Sequence, residues 1–169
     1  LNPRAHFGRE ATVDDVLESP VIADPFRLLD CCPFSDGASA LVVTSPDVAD
    51  SYDGESVNVT GIGHATDIVP IADKEGLTET RAARDAAAEA YRQAGVDADE
   101  VDFAEVHDCF TGAEVLAIEA LGLVEDGEGG TAAASGRTRL GGDVPVNPSG
   151  GLKAKGHPIG ATGTAQIVE

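Results

Sequence analysis

The sequence contains no methionine and no tryptophan, and only 4% of its residues are aromatic. Because it starts at Leu1 without an initiator and stops at Glu169 inside a predicted helix, we expect an internal piece of a longer chain. No apolar run approaches the roughly 20 residues that a membrane-spanning helix needs, and the N-terminus lacks the basic-then-apolar pattern of a signal peptide. We therefore expect neither membrane insertion nor secretion.

Basic residues are scarce, since 11 lysines and arginines stand against 30 acidic residues and give a net charge of −19. Nucleic acid is not an expected partner, because binding of a phosphate backbone requires a basic stripe. The acidic residues are scattered, which is typical of the solvated coat of a halophilic protein, where salt screens repulsion. Lys153 and Lys155 lie in one glycine-rich segment, and we expect them to favour an anionic ligand such as a phosphorylated cofactor.

Cysteine is also rare and odd in number, and the three cysteines are Cys31, Cys32 and Cys109. Without a Cys-x-x-Cys pair, a disulfide framework and a zinc site are not expected, and a cytoplasmic location is predicted. Cys31 and Cys32 precede a proline in predicted coil and are interpreted as structural. The histidines are too dispersed for a metal motif, so no bound metal is expected; they are His6, His64, His107 and His157.

Strand-like segments alternate with helical ones along the chain, and this order indicates an α/β fold with a mostly parallel sheet. Strands are predicted over 38–44, 57–62, 101–106 and 144–147. Helices are predicted over 13–17, 78–94, 111–121 and 160–169, with Thr12 capping the first. The acidic segment 46–55 is interpreted as a linker between two structural units, and the glycine-rich segment 125–142 as a mobile loop.

The glycine-rich turn 147–163 is the most informative part of the sequence, because it places His157 just before an alanine-rich helix. Glycine allows backbone to approach a ligand closely, and Pro158 fixes φ beside the imidazole. A histidine held in this way is suited to proton transfer or to stabilising an oxyanion. A plain glycine-rich connection with an incidental surface histidine is the alternative.

Three other motifs match the sequence less well. The spacing of Gly151 and Gly156 resembles a phosphate-binding loop, but the following Lys-Ser/Thr pair is missing. The pair Gly61 and Gly63 resembles the start of a dinucleotide fingerprint whose third glycine is replaced by Thr66. Asn-Pro-Ser-Gly-Gly is not the Gly-x-Ser-x-Gly elbow of a serine hydrolase.

His107 and Cys109 follow a predicted strand at the point where a helix begins. Sites in open α/β sheets collect at the carboxyl ends of strands, so these side chains and His157 can converge there and share one cavity. A helix N-terminus lowers the pKa of a thiol, and a neighbouring imidazole can exchange a proton with it. The alternatives are a buried, unreactive Cys109 and a capping or core histidine at position 107.

Three separated motifs resemble those of the thiolase family. Residues 156–163, Gly-His-Pro-Ile-Gly-Ala-Thr-Gly, resemble its Gly-His-Pro-x-Gly signature, and 147–151 resemble its Asn-x-x-Gly-Gly turn. Residues 107–110, His-Asp-Cys-Phe, are similar to the signature of the sterol-carrier-protein-linked and archaeal branch. Residues 30–38 resemble the segment before the last strand of the family's first half. Together the motifs cover essentially the whole chain in the family's order.

The resemblance implies a layered α-β-α-β-α fold, with 1–50 as the end of the first half and 51–169 as an incomplete second half. It implies an acyltransferase that cleaves 3-ketoacyl-CoA with CoA or condenses two acyl-CoA molecules. In that reaction His157 would hold the nucleophilic thiol and donate to a thioester oxygen, His107 would hold a water or that oxygen, and Cys109 would be the acid/base. The acyl-CoA contacts would come from Asn147, Gly150, Gly151, Gly156 and Pro158.

By the same resemblance, the nucleophilic cysteine and the distal Cys-x-Gly lie outside the sequence, so we expect the chain alone to be inactive. CoA and acyl-CoA are substrates, and no permanently bound cofactor is expected. A homodimer or homotetramer in lipid metabolism is expected, with an acyl-CoA-binding partner protein as a further option. A non-catalytic acyl-CoA-binding subunit and a related condensing enzyme, such as hydroxymethylglutaryl-CoA synthase, are the alternatives.

Overall fold

Seven α-helices account for most of the regular structure in the computed structural model, which describes residue 3 and residues 5–169. The helices are α1 (Val13–Glu18), α2 (Pro46–Ala49), α3 (Arg81–Ala94), α4 (Thr111–Ala120), α5 (Gly129–Ser135), α6 (Gly151–Lys155) and α7 (Thr162–Val168). The strands are β1 (Val21–Ala23) and β2 (Phe26–Arg27), which pair antiparallel. No helix in the described part of the chain is long and apolar enough to cross a bilayer.

The helix starts and ends follow the local sequence signals. Thr12 caps α1, because its hydroxyl accepts the Asp15 N–H while the Asp15 carboxylate accepts the Thr12 N–H. Helix α3 ends at Gly95, whose φ of 71° is the left-handed conformation that glycine adopts most easily. Helix α3 begins three residues later than the sequence predicts, and the N-cap of α4 is Phe110 rather than Thr111.

The core lies around helix α4. Its cluster of buried side chains is Ile118, Leu123, Val124, Ala132 and Val144. The segments before and after this cluster approach each other through a parallel bridge between Ala104 and Val146. The N–H of residue 147 donates to the Ala104 carbonyl (2.7 Å), so the residues leading to the two sequence motifs lie side by side.

The prediction of a loop over 125–142 is wrong, because helix α5 lies within it. The sequence did not predict this helix, because its glycines lower intrinsic helix propensity. Burial of Ala132 stabilises the helix from one side. At its start, the Gly129 N–H donates to the buried Glu119 carboxylate (2.9 Å), so tertiary contacts outweigh the weak propensity. The segment interpreted as a linker likewise contains helix α2.

The predicted strands over 38–44, 57–62, 101–106 and 144–147 are not regular strands. Among the described residues, the pairing of β1 with β2 is the only ladder, and three isolated bridges join other segments. Val42 is 91% exposed and Val57 is 93% exposed, so these apolar segments have no covering layer within the described chain. The apolar pattern of these segments indicates a preference for extended backbone, but a strand also needs a neighbouring strand for its backbone hydrogen bonds.

The glycines at positions 61 and 63 have a packing role. A Cβ atom on Gly61 or Gly63 would overlap the backbone carbonyls of Ala90 and Ala86 in α3. The Gln93 side chain, also from α3, pairs with both backbone polar groups of residue 62. These glycines therefore allow an extended segment to lie directly on a helix, which is a different use from a dinucleotide-binding turn.

Candidate active site

The segment 31–35 lies between the two motif-bearing loops and joins them. Cys31 forms an antiparallel bridge with Phe110, and the Cys32 N–H donates to the Cys109 carbonyl (3.0 Å). Phe34, three residues after Cys31, forms a parallel bridge with His157. A single extended stretch thus fixes the 107–110 loop relative to the Gly-His-Pro turn.

His157 is held in place through its backbone, and the residue is only 7% exposed. Its N–H donates to the Ser35 hydroxyl (3.3 Å), and its carbonyl accepts the Ser35 N–H (3.4 Å). The preceding Gly156 has φ 98°, and a Cβ there would meet the same serine hydroxyl. A glycine is required at position 156 on both grounds, so it shapes the turn that presents the imidazole.

The structure brings His157 and His107 into direct contact. The centroids of the two rings are 4.9 Å apart, and the ring planes meet edge to face at 74°. Burial, together with the neighbouring His107, holds the pKa of His157 below its ordinary value, while Asp108 opposes this shift. A neutral imidazole with an available lone pair is therefore favoured, and this is the form that accepts a proton from a thiol.

Cys109 lies two residues after His107 and is half-buried. Opposite it in the antiparallel pairing is Cys32, which sequence reasoning treated as purely structural. Burial and the nearby charges of Cys109 and Asp108 raise the pKa of the Cys32 thiol. The thiols of Cys109 and Cys32 therefore lie on the same side of the site. The sequence did not predict the position of Cys32, because it depends on pairing between two distant backbone segments.

Asp108 fastens the 107–110 loop to the Gly-Gly turn. Its two carboxylate oxygens accept the Leu152 N–H at 3.0 and 3.2 Å, at the first turn of α6. Gly151 has φ 60°, and a Cβ on it would overlap the Asp108 carboxylate. Burial raises the pKa of Asp108 above its ordinary value, partly offset by the Leu152 hydrogen bond. Gly151 is thus needed for close contact between the two motifs.

The other residues expected to contact acyl-CoA differ in their orientation and exposure. The Asn147 side chain is turned inward, where its Oδ1 accepts the Val106 N–H (2.8 Å) and its Nδ2 donates to Glu114 (3.0 Å). Asn147 therefore supports the backbone just before His107. Gly150 is exposed with φ 107°. Pro158 is half-buried, and its ring leaves no room for a Cβ at Gly37.

The two lysines of the turn are engaged within the chain. Lys155 Nζ lies 3.4 Å from the buried carboxylate of Glu105 and donates to Ser149 (3.1 Å). Lys153 Nζ donates to the carbonyls of Leu28 (3.2 Å) and Cys31 (2.9 Å). These contacts give both ammonium groups internal partners, so they do not support the expectation that the pair attracts an anionic ligand.

An open hollow of about 460 Å³ lies beside the Gly-His-Pro turn, between residues 35–39 and residues 158–164. None of His107, Cys109 and His157 lines it. Within residue 3 and residues 5–169, no group of three or more histidine, cysteine or acidic side chains is arranged to hold a metal ion. The reactive side chains that the structure brings together at this site are the two imidazoles and the neighbouring thiols.

Comparison with known proteins gives a consistent picture. Residues 63–169 match the family described as "Thiolase C-terminal domain-like". The chain is 48% identical over 168 residues to an acetyl-CoA acetyltransferase of Methanothermobacter thermautotrophicus, covering 99% of this chain and 44% of that protein. It is 36% identical to sterol carrier protein 2 of Oryctolagus cuniculus, covering 99% and 32%. The benzoylsuccinyl-CoA thiolase subunit BbsB of Thauera aromatica is also 36% identical, with 98% and 43% covered.

A solved structure titled "Ltp2-ChsH2(DUF35) aldolase" superposes with a TM-score of 0.83 at 24% identity, covering 95% of this chain and 42% of that one. The likeness extends the agreement from sequence to fold. The chain spans less than half the length of each of these relatives. With the family match over most of its residues and both sequence motifs assembled around one pair of imidazoles, the chain belongs to the thiolase family.

Proposed function

We propose that this chain is part of an acyltransferase of thiolase type, which cleaves a 3-ketoacyl-CoA with CoA or runs the reverse Claisen condensation. The observation that carries the proposal is the 4.9 Å contact between His107 and His157, which come from two motifs 50 positions apart. The proposed substrates are CoA and acyl-CoA, and no permanently bound cofactor takes part. By the family resemblance, we expect the nucleophilic cysteine outside the 169 residues of this sequence.

The roles of the side chains follow from the chemistry. The nucleophile passes its thiol proton to His157, and the thiolate attacks the 3-keto carbon of the substrate. The bond between C2 and C3 then breaks, leaving an enzyme thioester and the enolate of acetyl-CoA, which takes a proton from Cys109. His157 and His107 donate hydrogen bonds to the thioester oxygen as charge develops on it. In the second half-reaction the Cys109 thiolate deprotonates CoA, whose thiolate attacks the enzyme thioester and takes the acyl group. The nucleophilic cysteine leaves as a thiolate and recovers its proton from His157.

The test is thiolysis of acetoacetyl-CoA by CoA, measured in high salt on the full-length protein that carries this chain. We expect His157→Ala to lower turnover by about 100-fold or more, the size associated with the loss of one oxyanion donor. His64→Ala is the matched control, because His64 is exposed and outside both motifs. Unchanged thiolysis in the His157 variant would remove the basis of the proposal.

A non-catalytic acyl-CoA-binding subunit is the second candidate, since one relative is named as a subunit of a thiolase and so divides its function among chains in a way that this chain could share. The same experiment separates the two functions. Binding of acyl-CoA without any thiolysis by the unmodified protein would support the second candidate. A homo-oligomer and an acyl-CoA-binding partner protein remain part of the proposal, and sedimentation of the purified protein tests the oligomer.

A further inference from the structure

We propose that Thr162 is a positioning residue that keeps the imidazole proton of His157 on Nδ1, so that Nε2 is the nitrogen that exchanges a proton. The chemical purpose of this arrangement rests on the function proposed above, whereas the tautomer itself is a property of this chain. Sequence reasoning assigned no role to Thr162, which lies five positions after the histidine in the same turn.

The threonine hydroxyl has two contacts that bear on the tautomer. Thr162 Oγ1 lies 2.7 Å from His157 Nδ1 and 3.1 Å from the carbonyl oxygen of Pro158. A carbonyl oxygen can only accept, and a hydroxyl has one proton to donate. If the hydroxyl donates to Pro158, the short contact with the ring is a hydrogen bond only when Nδ1 carries a proton.

The hydroxyl is fixed in place by burial and by the start of helix α7. Thr162 is 2% exposed, so no solvent competes for its oxygen. The Pro158 carbonyl also accepts the N–H groups of Ala161 and of Thr162 itself, which ties the threonine to the first turn of the helix. The partner of Nδ1 is therefore part of a rigid backbone unit and is independent of any ligand.

The tautomer matters because the ring is favoured in its neutral form, in which only one nitrogen has a free lone pair. With Nδ1 protonated, that lone pair is on Nε2. An Nε2–H tautomer could not take the proton of a thiol, although it could still donate to an oxyanion. Thr162 thereby prepares His157 for the first step of the proposed reaction, in the same way that a buried partner on one ring nitrogen sets the function of the other.

The direct test is the ring ¹⁵N spectrum of His157 in the full-length protein that carries this chain, at neutral pH. We expect the pattern of a protonated Nδ1 and an unprotonated Nε2. Thr162→Ser keeps the hydroxyl and should preserve this pattern, whereas Thr162→Val keeps the shape of the side chain and should allow the Nε2–H form to appear. Thr164→Val is the matched control, because it makes the same change two positions along α7 without touching the ring.

Turnover of the full-length protein provides the second readout. We expect thiolysis to fall by roughly 10- to 100-fold in Thr162→Val, the range found for lost partners of functional histidines at metal sites, with recovery in Thr162→Ser. An Nε2–H pattern in the unmodified chain overturns the proposal, and so does a Thr162→Val variant with an unchanged spectrum. An Nδ1–H spectrum in a protein that carries out no thiolysis leaves the tautomer assignment standing and contradicts the proposed function.

Discussion

The contact between Gly151 and Asp108 joins the two motifs, and replacing the glycine measures what that contact contributes. Gly151→Ala introduces two costs. The φ of 60° is unfavourable for any residue with a Cβ, by about 1 to 2 kcal/mol. The new methyl group also overlaps the Asp108 carboxylate, whose displacement from the Leu152 N–H costs about 1.5 to 3 kcal/mol. Together these costs lower the free energy of unfolding by about 2.5 to 5 kcal/mol.

Urea unfolding measures this loss, and Gly127→Ala is the matched control. Gly127 has φ 84°, but a Cβ on it would meet no atom within 4 Å. The control should therefore lose only the 1 to 2 kcal/mol that comes from backbone strain. Combining Gly151→Ala with Asp108→Ala should reduce the cost of the glycine substitution to that of the control. Equal losses in Gly151→Ala and Gly127→Ala would refute the view that close contact with Asp108 requires glycine.

Two further predictions concern the reaction. Since His157 must be neutral to accept a proton and its pKa is lowered from 6.5, thiolysis should persist as the pH falls through 6.5 and decline only below it; a pH–rate profile whose acidic limb lies above 6.5 would contradict this. Cys109→Ala should slow exchange of the C2 protons of acetyl-CoA with deuterated water more than it slows acyl transfer from the enzyme thioester. Equal losses in both half-reactions would argue against Cys109 as the acid/base.

Local signals in the sequence predicted those parts of the fold that depend on local interactions. The cap at Thr12 and the end of α3 at Gly95 depend on side chains and backbone angles of nearby residues, and both occur as expected. Helix α5 depends instead on burial of Ala132 and on the distant Glu119, which composition cannot reveal. The predicted strands failed for the related reason that extended backbone requires partners from elsewhere.

In the candidate site, too, the features that depend on local sequence were predicted and those that depend on distant contacts were not. Its two histidines were identified from the motifs. Their convergence was expected at the ends of strands, but the structure brings the two segments together through an isolated bridge between Ala104 and Val146. The inward orientation of Asn147 and the approach of Cys32 to Cys109 depend on pairing between segments more than 40 residues apart. Thr162 was overlooked because its contact with the His157 ring depends on the folding of the turn between them, which the sequence does not show.

The central claim is that the His-Asp-Cys-Phe and Gly-His-Pro motifs form one acyl-transfer site, with His107 and His157 acting as a unit. The most direct measurement is thiolysis turnover in His107→Ala, in His157→Ala and in the double variant. Residues that act together give strongly non-additive losses, so the double variant should lose about as much activity as the more damaging single variant. A double variant whose loss equals the product of the two single losses would show independent action and contradict the claim.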